Sequence, residues 1–94
     1  MVDFHKQKYY QIRANARKSG KDCELSLNDI KKLLPSICIY CGDIAKGLDR
    51  LDSSKGYIKS NVKPCCTICN KAKQSLSVKE FMTHIEKIYN YNLE

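Results

Sequence analysis

Two Cys-x-x-Cys pairs, Cys38/Cys41 and Cys66/Cys69, constrain this chain more than any other feature of it. Four thiolates complete a closed tetrahedral shell around zinc, so such a site holds a fold together and takes no part in chemistry. Pairing through Cys65 is the alternative, but only Cys66 leaves the two-residue gap to Cys69 that matches the first pair. Gly42 follows the first pair directly. A glycine there lets the backbone turn so that its amides face the sulfurs. Cys23 stands apart from both pairs and reads as a small buried apolar residue.

A chain of 94 residues makes one small domain, of a size that usually needs a metal or disulfide staple. No initial apolar run resembles a signal peptide, and none is long enough to span a membrane. That points to a reducing, cytoplasmic setting, where paired cysteines are metal ligands more often than disulfides. Seventeen Lys and Arg stand against ten Asp and Glu, a formal net charge of +7. Nucleic acid is the partner such a charge suits first, since neutralising phosphates releases counterions. A basic surface that only keeps the protein soluble is the plainer alternative.

In chain order, Val2 to Ser19 is free of Gly and Pro and ends at Gly20, a helix with a C′ glycine. His5, Tyr9, Ile12 and Ala16 share one face, and Lys6, Lys8, Arg13, Arg17 and Lys18 populate the rest, either a basic helix tracking a phosphate backbone or a solvated face on a packing helix. Ser26 caps a short helix over Leu27 to Leu34, which Pro35 ends. Leu48 to Asp52 alternates as a strand does, Ser53 to Gly56 is turn chemistry, and Tyr57 to Lys63 reads as the return strand. Cys65 to Lys73 begins a helix. Ser77-Val78-Lys79-Glu80 is a capping box opening a last helix, whose Val78, Phe81, Met82, Ile85, Ile88 and Tyr89 read as a core-facing stripe. His5 and His84 read as surface or boundary residues, and Tyr91 to Glu94 as a fraying end. The chain thus divides into a basic helical leader (1–35), a zinc-bound core (36–74) and a C-terminal helix (75–94).

Asp49, Asp52, Asn61 and Asn70 are hard oxygen donors between and beside the cysteine pairs, suited to Mg²⁺ or a similar cation. The same residues have structural roles open to them, in turns, caps and loop braces. Cys-x-x-Cys-Gly, Leu48-Asp49-Arg50-Leu51-Asp52, Lys55-Gly56-Tyr57, Asn61 to Cys66 and Cys69 to Lys73 together resemble the HNH endonucleases. The likeness is narrower still to the small zinc-containing members common in phages and viruses. Asn15 to Gly20 with Leu25-Ser26-Leu27 resembles the leader that often precedes that domain, and Leu76-Ser77 with Glu80-Phe81 resembles its tail.

The resemblance implies an α+β domain with a ββα-metal core flanked by N- and C-terminal helices. It implies that Asp49 and Asn70 hold a catalytic Mg²⁺ or Mn²⁺, and that Asn61 braces the loop. It implies hydrolysis of a DNA phosphodiester, with Lys71 and Lys73 able to reach phosphate beside the basic helix, and a homodimer where both strands are cut. One departure matters: the family's general-base His falls at Arg50, and a guanidinium does not take a proton. Three readings stay open. Arg50 clamps phosphate while Tyr57 or Tyr40 acts as base or nucleophile; or a metal-polarised water attacks without a side-chain base; or the site is inactive, with Arg50 paired to Asp52. The last makes the chain a zinc module that binds nucleic acid or protein without cutting.

Overall fold

The computed structural model describes residues 3 to 93. Val2 and Glu94, placed by the sequence in the first helix and the fraying end, lie outside them. Helix α1 spans Phe4–Lys18, with the Asp3 carboxylate accepting from the amides of His5 and Lys6. Past its C-cap Ser19, Gly20 turns the chain at φ +66°, the left-handed conformation a C′ residue takes. Helix α2, Leu27–Leu33, opens on a capping box between Ser26 and Asp29. Ile12, Leu25, Ile30, Leu34, Leu48 and Val62 form the larger core, with Phe4, Tyr9, Cys23, Leu33 and Tyr57 packed against it. The spacing on α1 places Ile12 and Ala16 inward, as a 3.6-residue repeat requires.

Two short antiparallel pairs follow. Strands β1 (Ser36–Ile37) and β2 (Ile44–Ala45) flank the first cysteine pair. Strands β3 (Gly47–Arg50) and β4 (Val62–Cys65) pair with Leu48 opposite Pro64 and Asp49 opposite Lys63. Helix α3, Thr67–Lys73, starts immediately after β4 with Cys66 as its N-cap. This β3–β4–α3 unit is the ββα core, and α1, α2 and the last helix α4 (Val78–Tyr91) flank it.

The return strand differs from the sequence reading. It occupies only Val62–Cys65, because Lys59–Asn61 is a single 3₁₀ turn that redirects the chain. Gly56 is the tight point of that loop: a Cβ there would lie 2.2 Å from the carbonyl oxygen of Asp22. The neighbouring Tyr57 amide donates to the same oxygen at 2.9 Å.

The last helix also departs from expectation. Its capping box between Ser77 and Glu80 is present. Of its apolar stripe only Phe81 is buried, its ring edge-on to Tyr40 at 5.1 Å between centroids. Met82, Ile85, Ile88 and Tyr89 are exposed because no other described element lies against them.

Candidate metal centre and basic cleft

The sulfurs of Cys38, Cys41, Cys66 and Cys69 lie within 4.8 Å of one another, in position to hold a metal ion. Cys41 and Cys66 are 3.6 Å apart; a tetrahedral ion with about 2.3 Å metal–sulfur bonds needs sulfurs about 3.8 Å apart, so the set fits zinc. Gly42 sits at φ +83°, and the turn brings backbone amides onto the Cys38 sulfur. Burial alone would raise that thiol, but amides of Cys66, Cys41 and Tyr40 outweigh it and bring Cys38 down to about 6. Cys69 moves the other way, pushed up by burial and by serving as donor to the neighbouring sulfurs. A metal that takes all four as thiolates must therefore release protons on binding. Cys65, the alternative ligand, is buried, its thiol pushed up by that burial to about 12. It stays outside the cluster and packs beside it. All six cysteines are free of disulfides.

Strand β3 alternates, so Leu48 enters the larger core and Asp49 points to the other side. Asp49 is buried, 3% exposed. Its Oδ2 accepts from the Tyr40 hydroxyl at 2.6 Å and its Oδ1 from Lys73 Nζ at 3.3 Å. Burial and then the hydrogen bond to Asp49 push the Tyr40 phenol up. Tyr40 is therefore a donor to the carboxylate, and the reading that makes it a base or nucleophile is set aside. Lys73 is likewise corrected: it is fully buried, 0% exposed, and does not reach phosphate from where it lies.

Asn70, one turn before Lys73 on α3, donates from Nδ2 to the Leu48 carbonyl at 3.2 Å, against the peptide that leads into Asp49. Its Oδ1 accepts no hydrogen bond among the described residues. Asn70 thus meets β3 at the residue before Asp49, and a carboxylate and an amide oxygen are hard donors of the kind Mg²⁺ or Mn²⁺ takes alongside water. The Lys73 ammonium is the cation that contacts Asp49 in this structure.

Asn61 is buried and fully engaged. Its Oδ1 accepts from the Asp52 amide, and its Nδ2 donates to the carbonyls of Asp52 and Gly56. Those bonds close the loop that follows Arg50. Arg50 Nη1 donates to the carbonyls of Ser53 and Lys55, and the guanidinium lies 5.3 Å over the Tyr57 ring. The proposed Arg50–Asp52 ion pair does not form: Asp52 Oδ1 instead accepts from the amide and hydroxyl of Ser54.

Tyr57 and Asn70 open onto a cleft of about 380 Å³ that also exposes Lys8, Gln11 and Asn15 of α1, with Lys46 and Lys71. Of the basic residues named from sequence, Lys8 and Lys71 lie there. Arg13 and Arg17 line a different hollow with Lys21 and Asp22, and Lys18 lines neither. Sequence reasoning passed over Gln11 and Lys46, and gave Asn15 only as part of the leader. Lys8, Gln11 and Asn15 recur at helical spacing and so share a face of α1, a signal that marks the face without saying what it meets. No helix among the described residues is long and apolar enough to cross a membrane.

No protein-family model matches the chain. In an alignment of 88 positions that covers 89% of the chain, it is 32% identical to the uncharacterized protein R423 of Acanthamoeba polyphaga mimivirus; the chain spans only 17% of that longer protein. Its fold is similar to that of PacI, a rare-cutting HNH restriction endonuclease. The TM-score is 0.71, over 93% of this chain and 78% of the other, at 23% identity. The chain therefore has an HNH-like α+β fold carrying a four-cysteine metal site.

Proposed function

We propose that this protein is a metal-dependent DNA endonuclease or nickase of the small viral or phage kind, acting inside the cell on phosphodiester bonds. The observation that carries the reading is the placement of Asn70 and Tyr57 in a cleft edged by Lys8, Lys46 and Lys71, on an HNH-like fold. Three ammonium groups at the edges attract a phosphate backbone, and the amides of Gln11, Asn15 and Asn70 give it hydrogen-bond donors. Zinc in the four-cysteine site is structural and ties the knuckle to the start of α3.

Asp49 and Asn70 would hold the catalytic Mg²⁺ or Mn²⁺, which when bound supplies Lewis-acid stabilisation to the transition state and the leaving 3′-oxygen. Asn61 holds the loop after β3 in shape. Arg50 spends Nη1 on the loop carbonyls and keeps its other N–H groups for a phosphate oxygen. Tyr57, stacked under that guanidinium, would first give up its phenolic proton to bulk water; its oxygen then takes a proton from the attacking water, or attacks phosphorus and displaces the 3′-oxygen, leaving a phosphotyrosine that water hydrolyses. Cutting both strands at one locus calls for two copies of the chain.

A second reading has its own observation. Asp49 already has a cation in Lys73, and Arg50 is tied to its loop, the arrangement of a nucleic-acid- or protein-binding zinc module that does not cut. A supercoiled-plasmid assay in Mg²⁺ or Mn²⁺ separates the two. The nuclease reading expects nicked product from the zinc-loaded protein and a loss of at least about 100-fold in Asp49→Ala, the scale of removing one transition-state stabiliser. Equal cleavage by wild type and variant would trace the activity to a contaminant and leave the binding module.

A further inference from the structure

Lysine is almost never fully buried unless paired, and Lys73 is buried completely. Its Nζ has two partners, Asp49 Oδ1 at 3.3 Å and the Arg50 carbonyl at 3.2 Å. A buried ion pair adds little stability compared with a well-packed apolar side chain of similar volume. Packing alone therefore gives no reason for an ammonium at this position.

The two oxygens of Asp49 are held differently. Oδ2 takes a short bond, 2.6 Å, from a half-buried hydroxyl on the zinc knuckle. Oδ1 takes a long one from a compact ammonium on a flexible four-carbon stem. Asn70 and Lys73 are three residues apart on α3, and so lie on the same side of the helix. An ion held by Asp49 and Asn70 would sit against that ammonium, and like charges in a dry site repel strongly.

We infer that Lys73 is a tethered counter-cation for Asp49, and that a divalent ion binds by exchanging with its ammonium at Oδ1. The inference rests on the reading of Asp49 as a metal ligand. Tyr40 keeps the carboxylate oriented through the exchange, and the Arg50 carbonyl gives the released ammonium an acceptor close by. Lys73 is thus a positioning residue: it keeps the site formed before the ion arrives and weakens the ion's affinity while it does so.

The test is Mn²⁺ titration by calorimetry of zinc-loaded wild type, Lys73→Met and Asp49→Ala, with melting curves in and out of Mn²⁺. Lys73→Met should bind Mn²⁺ at least about tenfold more tightly, equivalent to about 1.4 kcal/mol. It should melt lower than wild type without Mn²⁺ and gain more from adding it. A side chain with a merely structural role would weaken binding or leave it alone. If Lys73→Met binds no more tightly while Asp49→Ala loses the ion, the exchange is wrong and the ligand assignment stands. If Asp49→Ala binds as wild type does, the ligand assignment fails and takes the inference with it. Should Lys73→Met not fold, the Lys73 ammonium resonance can be followed in the wild-type protein during a Mg²⁺ titration. It should shift in step with saturation, and a resonance that stays fixed while Mg²⁺ saturates the site overturns the exchange.

Discussion

Asn61 shows how much a single amide can organise. Its side chain spans the loop from Asp52 to Gly56 with one accepted and two donated hydrogen bonds, all from a nearly solvent-free position. Its own carbonyl accepts from the Leu51 amide at 2.8 Å, so backbone and side chain close the loop at both ends. Asn61→Ala would leave the Asp52 amide without a partner and take one of two hydrogen bonds from each of the carbonyls of Asp52 and Gly56, which keep the amides of Lys55 and Ile58. We expect it to cost about 3 kcal/mol, at about 1 kcal/mol for each lost bond, read from the shift in urea midpoint at unchanged slope. An unaltered midpoint would mean that the loop is not held from this residue. Because Arg50 donates into the same loop, the variant should also loosen the guanidinium over Tyr57, and nicking should fall with stability.

Elements were legible in the sequence where their signals are local. Both capping boxes, the glycine after α1 and the choice of Cys66 over Cys65 depend on residues within a few positions, and the structure has all of them. The return strand was misjudged because the curl at Lys59–Asn61 is imposed by Asn61 bonding back across the loop. The stripe on α4 was misjudged because periodicity says which residues share a face but not whether anything packs on it. Lys73 looked like a surface lysine because its acidic partner is 24 residues away, on β3. With little packed on it, α4 depends on its own first turn. The Ser77 amide and hydroxyl bring Glu80 below its ordinary value of 4.5. A carboxylate lowered by folding lends stability above its ordinary pKa and loses it as pH falls through the folded value. Helical circular dichroism should therefore decline below about pH 4.5 in the wild type. In Glu80→Gln, which keeps the box without titrating, part of that decline should vanish. A curve that superposes on wild type would assign the acid loss to other carboxylates.

At the scale of the whole molecule, two small cores of different kinds share the structural work. The larger is aliphatic and aromatic; the smaller consists of Cys38, Ala45 and Cys65, with Tyr40, Cys66 and Cys69 around it. The smaller one has too little apolar surface to stand alone, so a chelator that strips the metal should unfold the knuckle and α3 cooperatively. Near-ultraviolet circular dichroism would show it, and a signal indifferent to chelation would remove the staple. Charge is the other global property. The sequence gives its sign, +7, while its distribution depends on how α1 is turned against β3 and α3. The fold turns Lys8 toward the cleft, with Lys46 and Lys71, and turns Arg13 and Arg17 away from it. Replacing Lys8, Lys46 and Lys71 with Gln removes three charges, as does replacing Arg13, Arg17 and Lys18, so the two variants have equal net charge. If DNA lies in the cleft, only the first set touches phosphate. Each lost contact flattens the dependence of log K on log salt by about 0.9, so the lysine variant should lose about 2.7 from its slope. The arginine variant should keep a slope near that of wild type, because distant charges are screened within about 10 Å at 0.1 M salt. Fluorescence anisotropy across a salt series measures both. An equal loss in the two variants would mean that the protein meets DNA as a diffusely charged body, and a larger loss in the arginine variant would move the interface to the far side of α1.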